Sequence, residues 1–263
     1  MFLDLSHSGS SFCDLVMGRL PFLLTRWEHL HLSPDELAPL PKGTTVLALK
    51  YRDGVAIAGD RQATEGTQIA ARRIEKVFKA DGHSAIAIAG VAGPCLELAR
   101  LFQTELEHYE KLEGVELSTE GKANKLAQMV KMNFPMALQG LVVIPIFVGY
   151  DRRRGEGKIY KYDVTGGRYD EAEYHATGSG GTHARASMKK RHREDMDEGA
   201  AIHTALEALY DAAEEDVGTA GPDFVRGIFP TIKTVTARGI LDVQEDQVRA
   251  VCQTIIEARP RSH

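Results

Sequence analysis

Cysteine is scarce in this chain. Three occur in 263 residues, Cys13, Cys95 and Cys252. An odd number at wide spacing builds neither a disulfide framework nor a zinc site. It suits a reducing compartment, so a cytoplasmic location is expected. None of the three has a local His or basic setting that would mark a nucleophile, which leaves buried packing for Cys95 and Cys252. Long apolar runs are also missing. No stretch reaches the roughly 18 residues that a membrane span needs. The opening Met1-Phe2-Leu3-Asp4 has no basic region, so neither a secretory signal nor a membrane partner is expected. Charge of one sign is not in excess either. The net charge is −5 with both signs interspersed, which gives no reason to expect nucleic acid. The run Lys189-Lys190-Arg191-His192-Arg193 is the local exception and reads as a solvated helix face. The Gly-Ser-Gly at 178–180 lacks the Gly-Lys-Ser/Thr of a phosphate loop, and no cofactor is expected.

What is present divides at residue 43. Residues 1–43 hold the only tryptophan, Trp27, and end in Ala38-Pro39-Leu40-Pro41-Lys42-Gly43, which suits neither a regular helix nor a central strand. They read as an appendage ahead of a domain over 44–263. That domain opens on strand formers, Thr45 to Tyr51. Asp53-Gly54 turns them into the apolar run Val55–Asp60, and Asp81-Gly82 closes a second hairpin ending at Gly90. Helical spacing follows over Pro94–Leu112 and again after Ser118, where Leu126, Met129, Val130 and Phe134 form one stripe. Strands are predicted over Leu141–Tyr150 (with Pro145 inside), Lys158–Val164 and Glu173–Thr177. Helices are predicted over Thr182–Glu194 and Glu198–Glu215. A strand pair over Ile232–Ala237 and Ile240–Val243 and a helix over Glu245–Ala258 end the domain. Antiparallel strand runs alternating with paired helices predict an α+β fold, most simply a four-layer α/β/β/α sandwich.

The chemistry points to Thr44. A Thr hydroxyl is a weak nucleophile until a base takes its proton. If the chain is cut after Gly43, the new α-amine of Thr44 lies beside its own hydroxyl. With a reference pKa of about 7.7–8.0, that amine is a competent base near neutrality. A preceding glycine lets the chain bend so that the hydroxyl can reach the Gly43 carbonyl. Taken alone, Gly-Thr-Thr reads equally as a loop entering a strand. Its company matters more. Asp60 ends a buried strand, and Lys76 lies between apolar neighbours and needs a counter-charge that Asp60 can supply. A Lys ammonium near the hydroxyl lowers its pKa. Gly90 ends the next strand, where its N–H can serve an oxyanion.

Thr44-Thr45-Val46, Gly59-Asp60-Arg61-Gln62-Ala63-Thr64, Lys76-Val77-Phe78 and Ala89-Gly90 resemble, in kind and spacing, the catalytic blocks of proteasome β subunits. Thr177–Gly181 and Glu215–Asp223 resemble two further blocks, with Thr219 where Ser is more usual. Glu105–Gly114, Ser187–Lys190 and Arg226–Thr231 look like the actinobacterial branch. The resemblance implies an N-terminal-nucleophile hydrolase fold and a threonine endopeptidase freed by self-cleavage at Gly43-Thr44. It implies Thr44 as nucleophile, Asp60 and Lys76 as its charge setting, and Ser179, Asp216 and Thr219 as the network holding the amine. Gly90 would be the oxyanion donor, and Thr64 would pair with substrate backbone. Ala63, Ile74, Ile88 and Ala92 would form the pocket for the residue before the cut, although Ile74 and Ile88 read as well as core packing. The implied partners are α-type subunits and other β copies in stacked rings, an ATP-dependent unfoldase acting through the α ring, and unfolded protein substrates. Other readings stay open at this point: a simpler two-ring bacterial peptidase, a non-catalytic ring subunit, and a small-molecule amidohydrolase of the same fold.

Overall fold

Local turn chemistry sets the first half of the fold. In a computed structural model describing residues 43–65 and 68–259, β1 (Thr45–Tyr51) and β2 (Gly54–Gly59) form a hairpin with Tyr51 opposite Gly54. The prosegment expected over 1–43, apart from Gly43, lies outside the described residues, as does Cys13. The second hairpin joins β5 (Val77–Asp81) to β6 (Ser84–Gly90). Its Asp81 carboxylate accepts bonds from the His83 N–H at 2.9 Å and the Ser84 hydroxyl at 2.8 Å, an Asx-type turn. Between the hairpins lie β3 (Ala63–Glu65) and β4 (Gln68–Ala71), a short two-stranded sheet.

The remaining strands complete two five-stranded antiparallel sheets. β7 (Val143–Asp151), β8 (Glu156–Tyr162) and β9 (Arg168–Glu171) extend the order β5-β6-β7-β8-β9. β10 (Tyr174–Gly178), β11 (Thr231–Thr236) and β12 (Gly239–Asp242) build β10-β1-β2-β11-β12. Pro145 sits inside β7 opposite Ile88 of β6, and β8 pairs with β7 only from Ile146 onward. The proline therefore lies where the strand has a partner on one side, which a residue without an N–H tolerates.

Among the described residues, six helices accompany the sheets: α1 (Ala92–Glu113), α2 (Thr119–Met132), α3 (Phe134–Ala137), α4 (Gly181–Arg191), α5 (Glu198–Glu215) and α6 (Glu245–Glu257). Ser118 caps α2 by accepting the Gly121 N–H at 3.0 Å, and Asp197 caps α5 through the Ala200 N–H at 2.8 Å. Two helix predictions need correction. Phe134 does not continue the α2 stripe. Pro135 lacks the N–H that the next turn requires, so α2 ends at Met132 and Phe134 opens the one-turn α3. Nor does α4 reach Glu194. His192 turns extended (φ −59°, ψ 136°) and its ring Nε2 donates to the Lys50 carbonyl at 2.9 Å. The basic run is not wholly solvated either, because Arg191 pairs with Glu207 at 2.7 Å and Asp211 at 3.2 Å.

Three apolar clusters hold these elements. Leu47, Leu49, Ala56 and Ala58 pack with Ile202, Leu206 and Leu209 of α5 and with Val248 and Ile255 of α6. Ile86, Ile88, Phe147 and Tyr160 pack with Phe102 of α1 and Leu126 of α2. Val46, Ala48, Val55 and Ile57 of one sheet meet Ala85, Ala87, Ile146, Val148 and Ile159 of the other. β1 thus sends alternate side chains into two cores, which is why it is apolar at nearly every position. Burial on this scale stabilises by roughly 1.5–3 kcal/mol for each large side chain.

Candidate active site

Thr44 stands at the entry to β1 and is 8% exposed. Its hydroxyl donates to the Gly43 carbonyl oxygen at 2.6 Å. Gly43 has φ +91°, and a Cβ there would sit 2.3 Å from Thr64 Oγ1, so only glycine fits. On the other side, the Thr44 carbonyl accepts the Ser179 N–H at 3.0 Å. Gly178, with φ +101°, lets β10 approach this closely, since a Cβ would come within 1.8 Å of the Thr44 oxygen.

Asp60 follows β2 and is buried. Its Oδ1 accepts the Thr45 N–H at 2.9 Å and the Lys76 ammonium at 2.6 Å. Its Oδ2 accepts the N–H groups of Gln62 at 3.0 Å and Ala220 at 3.1 Å. The Lys76 side chain is 3% exposed, and Nζ also reaches the Gly43 carbonyl at 3.5 Å. Burial pushes the Lys76 ammonium below its ordinary pKa, against the raising pull of Asp60. The Thr44 hydroxyl and the Lys76 ammonium therefore converge on one carbonyl oxygen.

A second polar chain runs alongside. Thr219 Oγ1 donates to Asp216 Oδ2 at 2.5 Å. Having spent its proton there, it accepts from Thr45 Oγ1 at 2.6 Å, and Thr45 Oγ1 in turn accepts the Gly180 N–H at 2.9 Å. Asp216 Oδ1 takes the Gly218 N–H at 3.1 Å. Ser179 Oγ lies over Gly218, 2.7 Å from where a Cβ would stand. Ser179, Asp216 and Thr219 thus gather at the Thr44–Thr45 entry, with Asp216 and Thr219 bonded toward the Thr45 hydroxyl. Thr45 is a site residue that the sequence reading missed. Its signal was weak: a buried hydroxyl must find a partner, but burial is not visible in a β-branched strand residue.

The chain matches the family model described as proteasome subunit over residues 40–224. It belongs to the proteasome subunit family. A proteasome subunit beta of Acidothermus cellulolyticus is 54% identical over 255 residues, covering 95% of this chain and 87% of the relative. One from Acidimicrobium ferrooxidans is 52% identical over 221 residues, covering 84% and 81%. One from Jonesia denitrificans is 48% identical over 256 residues, covering 97% and 84%.

In this family member, Thr44 opens onto a small pocket. Ala63, Ile74, Ile88 and Ala92 all line it, together with Gly43, Lys76 and Gly90. Phe78, Cys95 and Leu96 were not foreseen there. Burial pushes the Cys95 thiol up to about 12, so it is an inert wall. Glu75 also lines the pocket, with its carboxylate 4.0 Å from the Arg61 guanidinium. The Ile88 N–H bonds to the Lys76 carbonyl at 3.0 Å, and strand alternation turns the Gly90 N–H to the same side, just past the start of β5. Thr64 lies in β3, with its hydroxyl beside Gly43.

Proposed function

We propose that this chain is the precursor of a β-type proteasome subunit, a threonine endopeptidase that frees its own nucleophile by cutting between Gly43 and Thr44. The observation that carries this reading is the 2.6 Å contact of the Thr44 hydroxyl with the carbonyl of the bond to be cut, with the Lys76 ammonium 3.5 Å from the same oxygen. Attack of Oγ on the Gly43 carbonyl carbon puts negative charge on that oxygen, where a buried cation stabilises it. Collapse then breaks the Gly43 C–N bond as the proton from Oγ passes to the Thr44 nitrogen, leaving Gly43 as an ester on Oγ. Water then hydrolyses the ester, releasing residues 1–43 with a terminal carboxylate and leaving Thr44 with a free amine.

In the mature site the amine takes the hydroxyl proton as Oγ attacks a substrate carbonyl. The Gly90 N–H supports the oxyanion, and Thr64 pairs with the added substrate strand. Asp60 and Lys76 keep the cation in place, and Ser179, Asp216 and Thr219 position the amine. Ala63, Ile74, Ile88 and Ala92 receive the residue before the cut. The two sheets with helices outside and an apolar cluster between them suit the four-layer N-terminal-nucleophile arrangement.

The subunit works in stacked rings with α-type subunits and further β copies. Unfolded chains are delivered through the α ring by an ATP-dependent unfoldase in the cytoplasm. No helix among the described residues is long and apolar enough to cross a membrane. Mass spectrometry of the complex assembled with its α-type partner tests the reading. Residues 1–43 are expected to be lost from the wild type and retained in Thr44→Ala, which also loses peptide hydrolysis. An active particle that keeps Met1 to Gly43, or a Thr44→Ala subunit that sheds them without a wild-type neighbour, overturns it.

A further inference from the structure

A second, open cleft adjoins the site and shares no lining residue with the apolar pocket. Thr64, Asp216 and Thr219, which also surround Thr44 and Thr45, line it together with Ile69, Arg72 and Ile228. Its walls are braced at both ends. Gln62 Nε2 donates to the Val217 carbonyl at 2.9 Å. Arg73 Nη2 donates to the carbonyls of Arg226 at 2.8 Å and Gly227 at 3.3 Å, tying the end of the β3–β4 hairpin to the 216–228 loop. The cleft is thus held open between two fixed segments.

Its charges are unequally committed. Asp216 is taken up by the Gly218 N–H and the Thr219 hydroxyl. Asp223 is taken up by the Arg226 guanidinium at 2.8 Å and the Arg226 N–H at 2.9 Å. Arg72 is exposed and has no hydrogen-bond or ion-pair partner among the described residues. The uncommitted charge of the cleft is therefore positive, above walls that include Ile69, Ala213 and Val217.

We infer that this cleft binds the leaving side of the substrate, and that Arg72 selects an acidic residue there. The inference rests on the endopeptidase reading. A peptide whose pre-cleavage residue fills the apolar pocket must continue beyond Thr44, and this cleft shares Thr64, Asp216 and Thr219 with the nucleophile's surroundings. Arg72 then acts as a specificity residue. Its exposure makes the effect modest and sensitive to salt.

The test uses the assembled particle and internally quenched peptides with Leu before the cut. Asp, Asn or Lys is placed at the first, second or third position after it. In wild type, Asp at one of these positions is expected to exceed Lys by at least about fivefold in kcat/KM, equivalent to roughly 1 kcal/mol, with the ratio shrinking at high salt. Arg72→Glu should invert the preference and Arg72→Gln abolish it. A coumarin amide, which has no residue beyond the cut, is assayed alongside. Equal Asp and Lys rates at every position, a ratio untouched by either variant, or a loss on the coumarin amide as large as that on the Asp peptide overturns the subsite. Failure of wild type to cleave any peptide overturns the endopeptidase reading itself.

Discussion

Replacing Asp60 by asparagine should harm the protein more than removing the charge of Lys76, although the first substitution is nearly isosteric. Each Asp60 oxygen accepts two donors: Thr45 N–H and Lys76 Nζ on Oδ1, Gln62 N–H and Ala220 N–H on Oδ2. An amide has one donor end. Whichever way it turns, that NH₂ faces two donors: the main-chain N–H groups of Gln62 and Ala220, or the Thr45 N–H and a Lys76 ammonium that keeps the Gly43 carbonyl at 3.5 Å. Each buried polar group left unsatisfied costs about 1–3 kcal/mol, so Asp60→Asn should lose roughly 4 kcal/mol. Lys76→Met keeps most of the stem volume and leaves the carboxylate with three N–H donors. It forfeits one charge-assisted bond, about 2 kcal/mol. A chain of this size loses about 2–4 °C in Tm per kcal/mol, so drops near 12 °C and 6 °C are expected. Scanning fluorimetry on both variants, against Thr44→Ala as the unprocessed reference, measures the difference. Peptide hydrolysis should fall at least about a hundredfold in both, as roughly 2.7 kcal/mol of lost transition-state stabilisation requires. An equal or larger drop for Lys76→Met would refute the donor count. It would mean that the ammonium, and not the main chain, stabilises Asp60.

Three further outcomes are expected. Peptides with Leu, Phe or Tyr before the cut should beat those with Arg or Glu by at least about tenfold in kcat/KM, since the pocket walls are apolar and Glu75 faces Arg61; faster cleavage after Arg would show that Glu75 is available to substrate. Gly43→Ala should slow prosegment loss at least about tenfold, measured by gel or mass spectrometry over time, because the new Cβ collides with Thr64 Oγ1 at a positive φ; unchanged processing would show that the strained geometry is not the reactive one. Burial holds His175 at a pKa of about 4, against about 6.5 unfolded, so the unfolded chain binds that proton first and stability should fall as pH drops from about 6.5 to 4; denaturation of His175→Gln should be flatter over that window by on the order of 1–2 kcal/mol, and an unchanged slope would show that His175 is not the group responsible.

The parts of the site legible in the sequence were those whose chemistry demands a residue type. A lysine among apolar neighbours asks for a carboxylate, and Asp60 answers it at 2.6 Å. The hairpins were legible because Asp53-Gly54 and Asp81-Gly82 are turn residues for stereochemical reasons. The β3–β4 pair was not, because strands of three and four residues with a register shift at Ala63/Thr64 leave too little pattern. Phe78, Cys95 and Leu96 line the pocket without a mark in the sequence, since a side chain facing a cavity and one facing a neighbour look alike along the chain. Thr45 escaped notice because its hydroxyl partner, Thr219, lies 174 residues away.

That same distance governs when the enzyme becomes dangerous. Asp60 draws together donors from 15 residues before it, 2 after it and 160 after it. The Ala220 contact closes only when the segment after α5 has docked beside Asp60, a non-local pairing whose loop-closure entropy must be offset by the contacts it completes. On the roles proposed for Thr44, Asp60 and Lys76, the cutting edge is assembled by the same long-range closure that completes the domain, so a chain lacking that segment is expected to hold all three without a working scissor.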